Sequence, residues 1–332
     1  MSAIPHIKKV DIVWLIGDVM DVQVLNKKGL LVALGLFFTG LVSLSSISVV
    51  HAANTADAKN SVNIVVDNVG FQTPESVEYD AKHDVYLVAN IHGSPFDKDN
   101  NGFISKLSPD GKVLDLKWIA GGKNGVKLSA PKGMVADGNT LYVADIDTIR
   151  TFDLTTGKPM ASFPIAGSSF LNGVTPSSQG GVWVTDSGVA AGFKPAGTDA
   201  IYHVSAKGDI TTLTKGQDLG RPNGILEKDG QLIMVTIASG QVHRFDLQGK
   251  LLSSEKLPYN KLDGLITDNN GNVIFSSWKA QAIKEMQNNA EPKTLFSGLE
   301  SPADLGFDSK RERLLIPSFL TNKVWIKSLV NN

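Results

Sequence analysis

Four oxygen-bearing residues stand at one place in a recurring tetrapeptide, and together they have the chemistry of a hard-cation site. The tetrapeptides are Thr73-Pro74-Glu75-Ser76, Ala130-Pro131-Lys132-Gly133, Phe170-Leu171-Asn172-Gly173, Arg221-Pro222-Asn223-Gly224, Lys261-Leu262-Asp263-Gly264 and Ser301-Pro302-Ala303-Asp304. Their third positions hold Glu75, Lys132, Asn172, Asn223, Asp263 and Ala303. Glu75 and Asp263 offer carboxylates; Asn172 and Asn223 offer amide carbonyls. Such an all-oxygen set carries a charge of −2 and suits Ca²⁺ or Mg²⁺ better than a soft metal. Asn or Asp before Gly also makes turns. One such dipeptide would therefore carry nothing, but a polar oxygen recurs at this repeat position in four blades of the expected fold.

Other groups could move protons. His92 follows a strand end and could face a channel mouth, where an imidazole serves as a general base near neutral pH. Asp263 is the second candidate for that role. His83 falls in a turn, and His203 and His243 fall in alternating strands, so all three read as structural. Asp145 and Asp186 close two strands and either cap turns or reach the channel. Asp97-Lys98-Asp99-Asn100-Asn101-Gly102 reads like the start of an EF-hand loop, but Ser108 stands where a bidentate Glu is required. A polar hairpin loop is expected there. No Gly-x-Ser-x-Gly elbow is present, which argues against a serine hydrolase.

The elements that must position these groups are strands. Each tetrapeptide is followed by an apolar run: Val85–Val88, Leu141–Ala144, Val182–Val184, Leu232–Val235, Val273–Phe275 and Leu314–Ile316. The repeat spacing of roughly 40 to 50 residues is that of propeller blades. An all-β, six-bladed β-propeller over residues 62–330 is expected, as one domain. Equivalent positions of a closed ring converge on its axis, so the four oxygens should meet in a central channel. Asp110-Gly111, Asp137-Gly138, Asp229-Gly230 and Asn270-Gly271 mark hairpin turns. Ala280–Gln287 could pass for a short helix, but the blade register demands a strand. Extra residues at 93–102, 121–127 and 189–198 should form a rim over the channel.

The formal net charge is −1 with no basic stripe, which speaks against nucleic acid as a partner. No cysteine is present, so disulfides are excluded. Lys27 and Lys28 precede an uncharged apolar stretch from Gly29 to Val50, and Val50-His51-Ala52 supplies small residues for cleavage after Ala52. Residues 1–52 therefore read as a secretory signal peptide, with Met20 as an alternative start and a periplasmic or secreted product. An uncleaved membrane anchor is the alternative, and it would be the protein's one link to a membrane. Residues 53–61 read as a polar lead-in.

At Glu75-Ser76-Val77-Glu78-Tyr79-Asp80, Asn172, Pro222-Asn223-Gly224 and Leu262-Asp263-Gly264 the chain resembles the senescence marker protein/gluconolactonase family, which includes regucalcin. The resemblance covers about residues 65–330. It implies a divalent ion in the channel, calcium first with Mg²⁺, Mn²⁺ or Zn²⁺ as alternatives, held by Glu75, Asn172, Asn223 and Asp263. It also implies hydrolysis of a lactone or ester, with the ion polarising the carbonyl and Asp263 or His92 taking a proton from water. The chain departs from the family's pattern in two places. Phe170 stands where the sugar lactonases have an Arg, and Ser76-Val77 replaces Gly-Pro. A more apolar lactone or ester is therefore expected as the small-molecule partner. The blades also resemble NHL-type repeats, which leaves a non-catalytic ligand- or protein-binding propeller, with a structural metal or none, as the alternative.

Overall fold

The computed structural model describes residues 62–287 and 290–329. The expected signal peptide, its Met20 alternative and the lead-in fall outside the described residues. The described chain is all-β, with two short 3₁₀ turns at Ala191–Phe193 and Gln217–Leu219. Six four-stranded antiparallel sheets form the blades of a propeller.

The strand next to the axis begins at the repeated tetrapeptide in the first five blades: Pro74–Asp80, Pro131–Asp137, Leu171–Pro176, Pro222–Lys228 and Leu262–Thr267. In blade six it is shortened to Gly306–Asp308. The six apolar runs lie in the second strands, Val85–Asn90, Thr140–Asp145, Val182–Asp186, Gln231–Thr236, Val273–Ser277 and Arg313–Ser318. The stretch that could have passed for a helix is the third strand of blade five, Ala282–Gln287. Blade six is completed by the N-terminal strand Asn63–Val66, which pairs with Lys323–Ser328 at the other end of the chain.

The second strands read as unbroken apolar runs because both of their faces are covered. Val85, Leu87 and Ala89 pack with Met134, Leu141 and Val143 of blade two. Tyr86 and Val88, pointing the opposite way, pack with Leu315, Val324 and Ile326 of blade six. The period-two alternation of a strand thus feeds two separate interfaces. Equivalent clusters fill the other blade junctions. The seam between blades six and one also carries a polar clasp. Tyr86 donates to Asp308 at 2.6 Å, and Arg311 reaches Asp308 at 2.9 Å and Asp84 at 2.6 Å. The Arg311 and Lys310 donors hold the Asp84 carboxyl well below the usual carboxylate range.

The tetrapeptide works through a bulge. Pairing between first and second strands slips between Pro74 and Ser76, Pro131 and Met134, Leu171 and Val174, Pro222 and Ile225, and Leu262 and Leu265. A bulge re-aims the side chain it carries, and here that side chain is the third residue of the signature. The glycine after it is not a turn residue. An added Cβ at Gly133 would sit 2.5 Å from the Asn172 carbonyl, at Gly173 2.5 Å from the Asn223 carbonyl, and at Gly224 2.3 Å from the Asp263 carbonyl. Neighbouring inner strands therefore touch backbone to backbone, and only glycine permits that distance. Thr185 ties the contact together, accepting from Gly173 N–H at 2.9 Å and donating to the Asn223 carbonyl at 2.7 Å. Ser276 repeats the device between Gly264 and the Ala303 carbonyl, at 2.8 Å each.

Candidate functional site

Asn172, Asn223 and Asp263 sit on three consecutive inner strands, each locked to the next by the glycine contacts just described. Glu75 closes the circle from blade one. Its carbonyl accepts the Asp304 N–H of blade six at 2.9 Å, and Ser76 beside it donates to the Lys132 carbonyl of blade two at 2.6 Å. All four candidate side chains are buried.

Their polar atoms are incompletely used. Glu75 Oε2, Asp263 Oδ1 and Asn223 Nδ2 are buried without a hydrogen-bond partner, as is the indole Nε1 of Trp278. Asn172 donates its amide to Ser187 Oγ at 3.1 Å, which leaves its carbonyl oxygen for the channel. A half-turn of the Asn223 amide would likewise present oxygen. Buried polar groups without partners are uncommon, and each calls for an explanation. Glu75 and Asp263 also repel one another. Burial raises the Glu75 carboxyl well above its ordinary value, and the charges of Asp263 and Asp304 push the same way, with Lys132 opposing them. Asp263 is raised by burial and by Asp304; the N–H groups of Trp278 and Asn223 lie near enough to oppose the shift but make no hydrogen bond to the carboxylate. A cation would relieve this repulsion, and the donor set fits a hard one. Among the described residues no group of three His, Cys, Asp or Glu side chains is placed to hold a metal. Such an ion would therefore depend on the two amides.

Two residues outside the expected set belong to this chamber. Asp304 occupies the position that is glycine in blades two to five. Burial raises its carboxyl to about 7. It also faces the opposite mouth, a funnel of about 240 Å³ that it shares with Glu78, Met134, Val135, Leu226 and Phe307. Burial carries the Glu78 carboxyl to about 8, although it accepts the Ala136 N–H at 3.0 Å. Lys132, fully buried, holds the equivalent third position in blade two. Phe170, where an Arg was expected from the resemblance to sugar lactonases, lies beside a cation, because the Lys132 ammonium stands 4.1 Å from the centre of its ring.

The upper mouth is apolar. Phe96, from the 93–102 loop, packs on Phe170 at 5.2 Å and on Phe193, from the 189–198 insertion, at 5.0 Å. The two long loops meet there, as a rim should. Trp278 packs at a tilt against Phe319, with ring centres 5.1 Å apart, and Phe319 packs against Ile91, Ala130 and Ile146. His92 lies on the same face of the ring. Its Nδ1 is 3.1 Å from the Asn101 carbonyl, and its ring meets Phe103 at 5.9 Å. Asp145 and Asp186 are caps. Asp145 accepts from Ser129 and Ala130 N–H, and Asp186 from Ser169, Phe170 and Gly188 N–H. The 97–102 segment is a loop without flanking helices. Asn100 ties it to blade two by accepting from Leu128 N–H at 2.8 Å.

These carboxyls predict a pH dependence. The unfolded chain releases its Asp and Glu protons near pH 4, whereas Asp304 and Glu78 hold theirs until about 7 and 8. The native state therefore binds more protons between those limits, and its stability falls as pH rises. In chelator, the melting temperature should drop steadily from pH 5 to pH 8. A flat or rising profile would contradict the buried carboxyl cluster.

No protein-family profile and no curated protein sequence matches the chain. Solved structures do. A gluconolactonase from Xanthomonas campestris superposes with a TM-score of 0.61 at 15% identity, over 84% of this chain and 93% of its own. An inactive virginiamycin B lyase from Staphylococcus aureus, determined with quinupristin, gives 0.58 at 16% identity, over 81% and 99%. A chain of the nidogen/laminin complex gives 0.52 at 16% identity, over 65% and 76%. At these identities the likeness establishes the propeller fold, which evidently hosts unrelated tasks.

Proposed function

We propose that this propeller holds a divalent cation, calcium in the first instance, on Glu75, Asn172, Asn223 and Asp263, and hydrolyses an apolar lactone or aryl ester beside it. The observation that carries this reading is the pair of buried, unpartnered carboxylate oxygens, Glu75 Oε2 and Asp263 Oδ1, flanked by two amides on adjoining strands. The gluconolactonase neighbour shows that the same architecture supports lactone chemistry in another protein.

When bound, the cation would polarise the substrate carbonyl and favour the charge that develops on its oxygen. The protein's own residues do the rest. Asp263 is the first candidate to take a proton from an attacking water, through the carboxylate oxygen that the cation would leave free. His92 is the second acceptor. With Nδ1–H donated to the Asn101 carbonyl, Nε2 is its basic nitrogen. Phe96, Phe170 and Phe193 exclude water and select an apolar body, which argues against a sugar acid lactone. The alternative reading is a binding propeller in which the ion only orients a ligand.

A panel of aryl and alkyl lactones and aryl esters, run in calcium and in chelator, tests the proposal. Chelator-sensitive turnover of at least one member is expected, with His92→Ala slower by about tenfold to a hundredfold, at or below the lower range for general-base loss. Calcium binding without turnover would favour the binding propeller. We also propose export, with residues 1–52 removed. N-terminal sequencing of the exported protein should begin at or near Ala53, and an intact N-terminus in the membrane fraction would indicate an anchor instead.

A further inference from the structure

Lys132 is hard to explain as a structural residue. Its side chain is fully buried at the channel mouth. No Asp or Glu among the described residues stands within ion-pair distance of it. Its ammonium, with three N–H donors, is served by two carbonyls, that of Ala130 at 3.1 Å and that of Pro95 at 3.4 Å. The ring of Phe170 covers one side. Glu75, Asp145 and Asp186 compensate its charge only from beyond ion-pair distance, and an ammonium buried without a direct carboxylate partner is costly. An apolar residue of the same length would pack there at lower cost.

The Pro95 contact is the informative one. It is long for an N–H···O bond. It also comes from a different blade, delivered by the tip of the 93–102 loop. The next residue, Phe96, fills the space between Phe170 and Phe193. The loop tip thus presents a neutral carbonyl oxygen to an ammonium and, one residue on, an aromatic ring to an aromatic cluster. A small molecule with the same two features at the same separation would make the same contacts.

We infer that Lys132 is a specificity-determining donor that takes the carbonyl oxygen of an aromatic lactone or ester, with the substrate's ring in the Phe170–Phe193 cluster, and that Pro95 and Phe96 occupy this subsite when no ligand is bound. The inference rests on the lactone reading above and deepens it by naming the group that orients the substrate. Ligand binding then requires the loop tip to withdraw. Asn100 and its partners on blade two, Leu128 and Ser129, can stay in place as an anchor.

The test is calorimetric titration with 3,4-dihydroquinolin-2(1H)-one, an aromatic lactam that resists hydrolysis, in chelator and again in calcium. Tetralin, which has the ring system without the carbonyl, is the comparison. Wild type should bind the lactam. Lys132→Met should bind it at least about tenfold more weakly, the loss expected for a hydrogen bond to a charged donor, with tetralin binding unchanged. Phe96→Ala removes the occupying ring and should tighten lactam binding severalfold. It also keeps the idea open to refutation if Lys132→Met does not fold. Equal lactam affinity in wild type and Lys132→Met overturns the inference. So does a wild type that binds no lactam in either condition, or a Phe96→Ala variant with unaltered affinity. The outcome is separable from the hydrolase reading. Lys132-dependent lactam binding without any lactone turnover would retain this subsite and discard the hydrolase. Turnover that is indifferent to Lys132→Met would do the reverse.

Discussion

Gly224→Ala is expected to be among the most damaging single-methyl additions to this protein. The new Cβ would lie 2.3 Å from the Asp263 carbonyl oxygen and 3.0 Å from the Leu265 nitrogen. Both are backbone atoms of a strand fixed by its own sheet, so neither can rotate away. Relief requires blades four and five to separate, which would expose apolar surface held by Ile233, Val235, Leu262 and Leu265. A loss of more than about 4 kcal/mol, or failure to accumulate as soluble protein, is expected from strain of this kind. Gly138→Ala is the proper comparison. That glycine has φ +60° and nothing within 4 Å of the added methyl, so it should cost only about 1 kcal/mol from the backbone conformation. Urea unfolding of the two variants decides the matter, and similar losses would mean that the strand contact is not tight. The damage should extend to the site, because the atom struck belongs to Asp263.

Asp263→Ala should have the largest effect on function. Saturating calcium, at about a hundred times its dissociation constant, stabilises a native state by about 2.7 kcal/mol. That corresponds to a rise in melting temperature of about 5 °C for a domain of this size. The variant should lose most of this rise, because one of two carboxylates in the ligand set is gone. It should also lose hydrolysis by about a thousandfold or more, since ligand and proton acceptor disappear together. In chelator the variant should melt no lower than wild type, because a buried carboxylate that repels Glu75 and Asp304 has been removed. That reversal of sign separates a cation site from an ordinary structural aspartate. If calcium and chelator move wild type and variant equally, the cation site does not exist.

The repeat count, the strand runs and the shared depth of the third positions were legible because they are periodic, and closing a periodic chain into a ring brings equivalent positions together. The reason for the glycines was less legible. Asn172-Gly173 and Asn223-Gly224 resemble turn dipeptides, yet neither glycine has a positive φ. They lie in strands, and their small size serves a neighbour about forty to fifty residues away in sequence. At Asp110-Gly111 and Asn270-Gly271 the turn expectation does hold, with φ of 81° and 78° at the glycines. Asp304 could have been noticed as the one carboxylate standing in a glycine column, but its electrostatic coupling to Glu75 and Asp263 emerges only once the ring is closed. Lys132 likewise appeared as an exception to an oxygen set. Its place beneath Phe170 depends on the path of a loop, and loop paths leave little periodic trace. Of the two roles open to Asp145 and Asp186, capping is the one found, because their carboxylates face backbone N–H groups of their own blades.

The strand that completes blade six joins Asn63 to Lys327, one of the longest sequence separations a chain of 332 residues can bring together. A ribosome must therefore finish almost the whole polypeptide before the ring can shut. Until then blades one and six each expose an apolar face, and the nascent chain has no way to reach its final topology early. Pairings this remote in sequence fold slowly, and their half-made forms are prone to aggregation. For a polypeptide threaded through a membrane while still open, that delay is an advantage. The closing strand begins at Asn63, about ten residues beyond the point where the proposed leader would be cut. Refolding of residues 53–332 should then be limited by closure, and it should become faster in a circular permutant broken between blades four and five, after Lys256 and before Leu262, so that no blade is assembled from both ends of the chain.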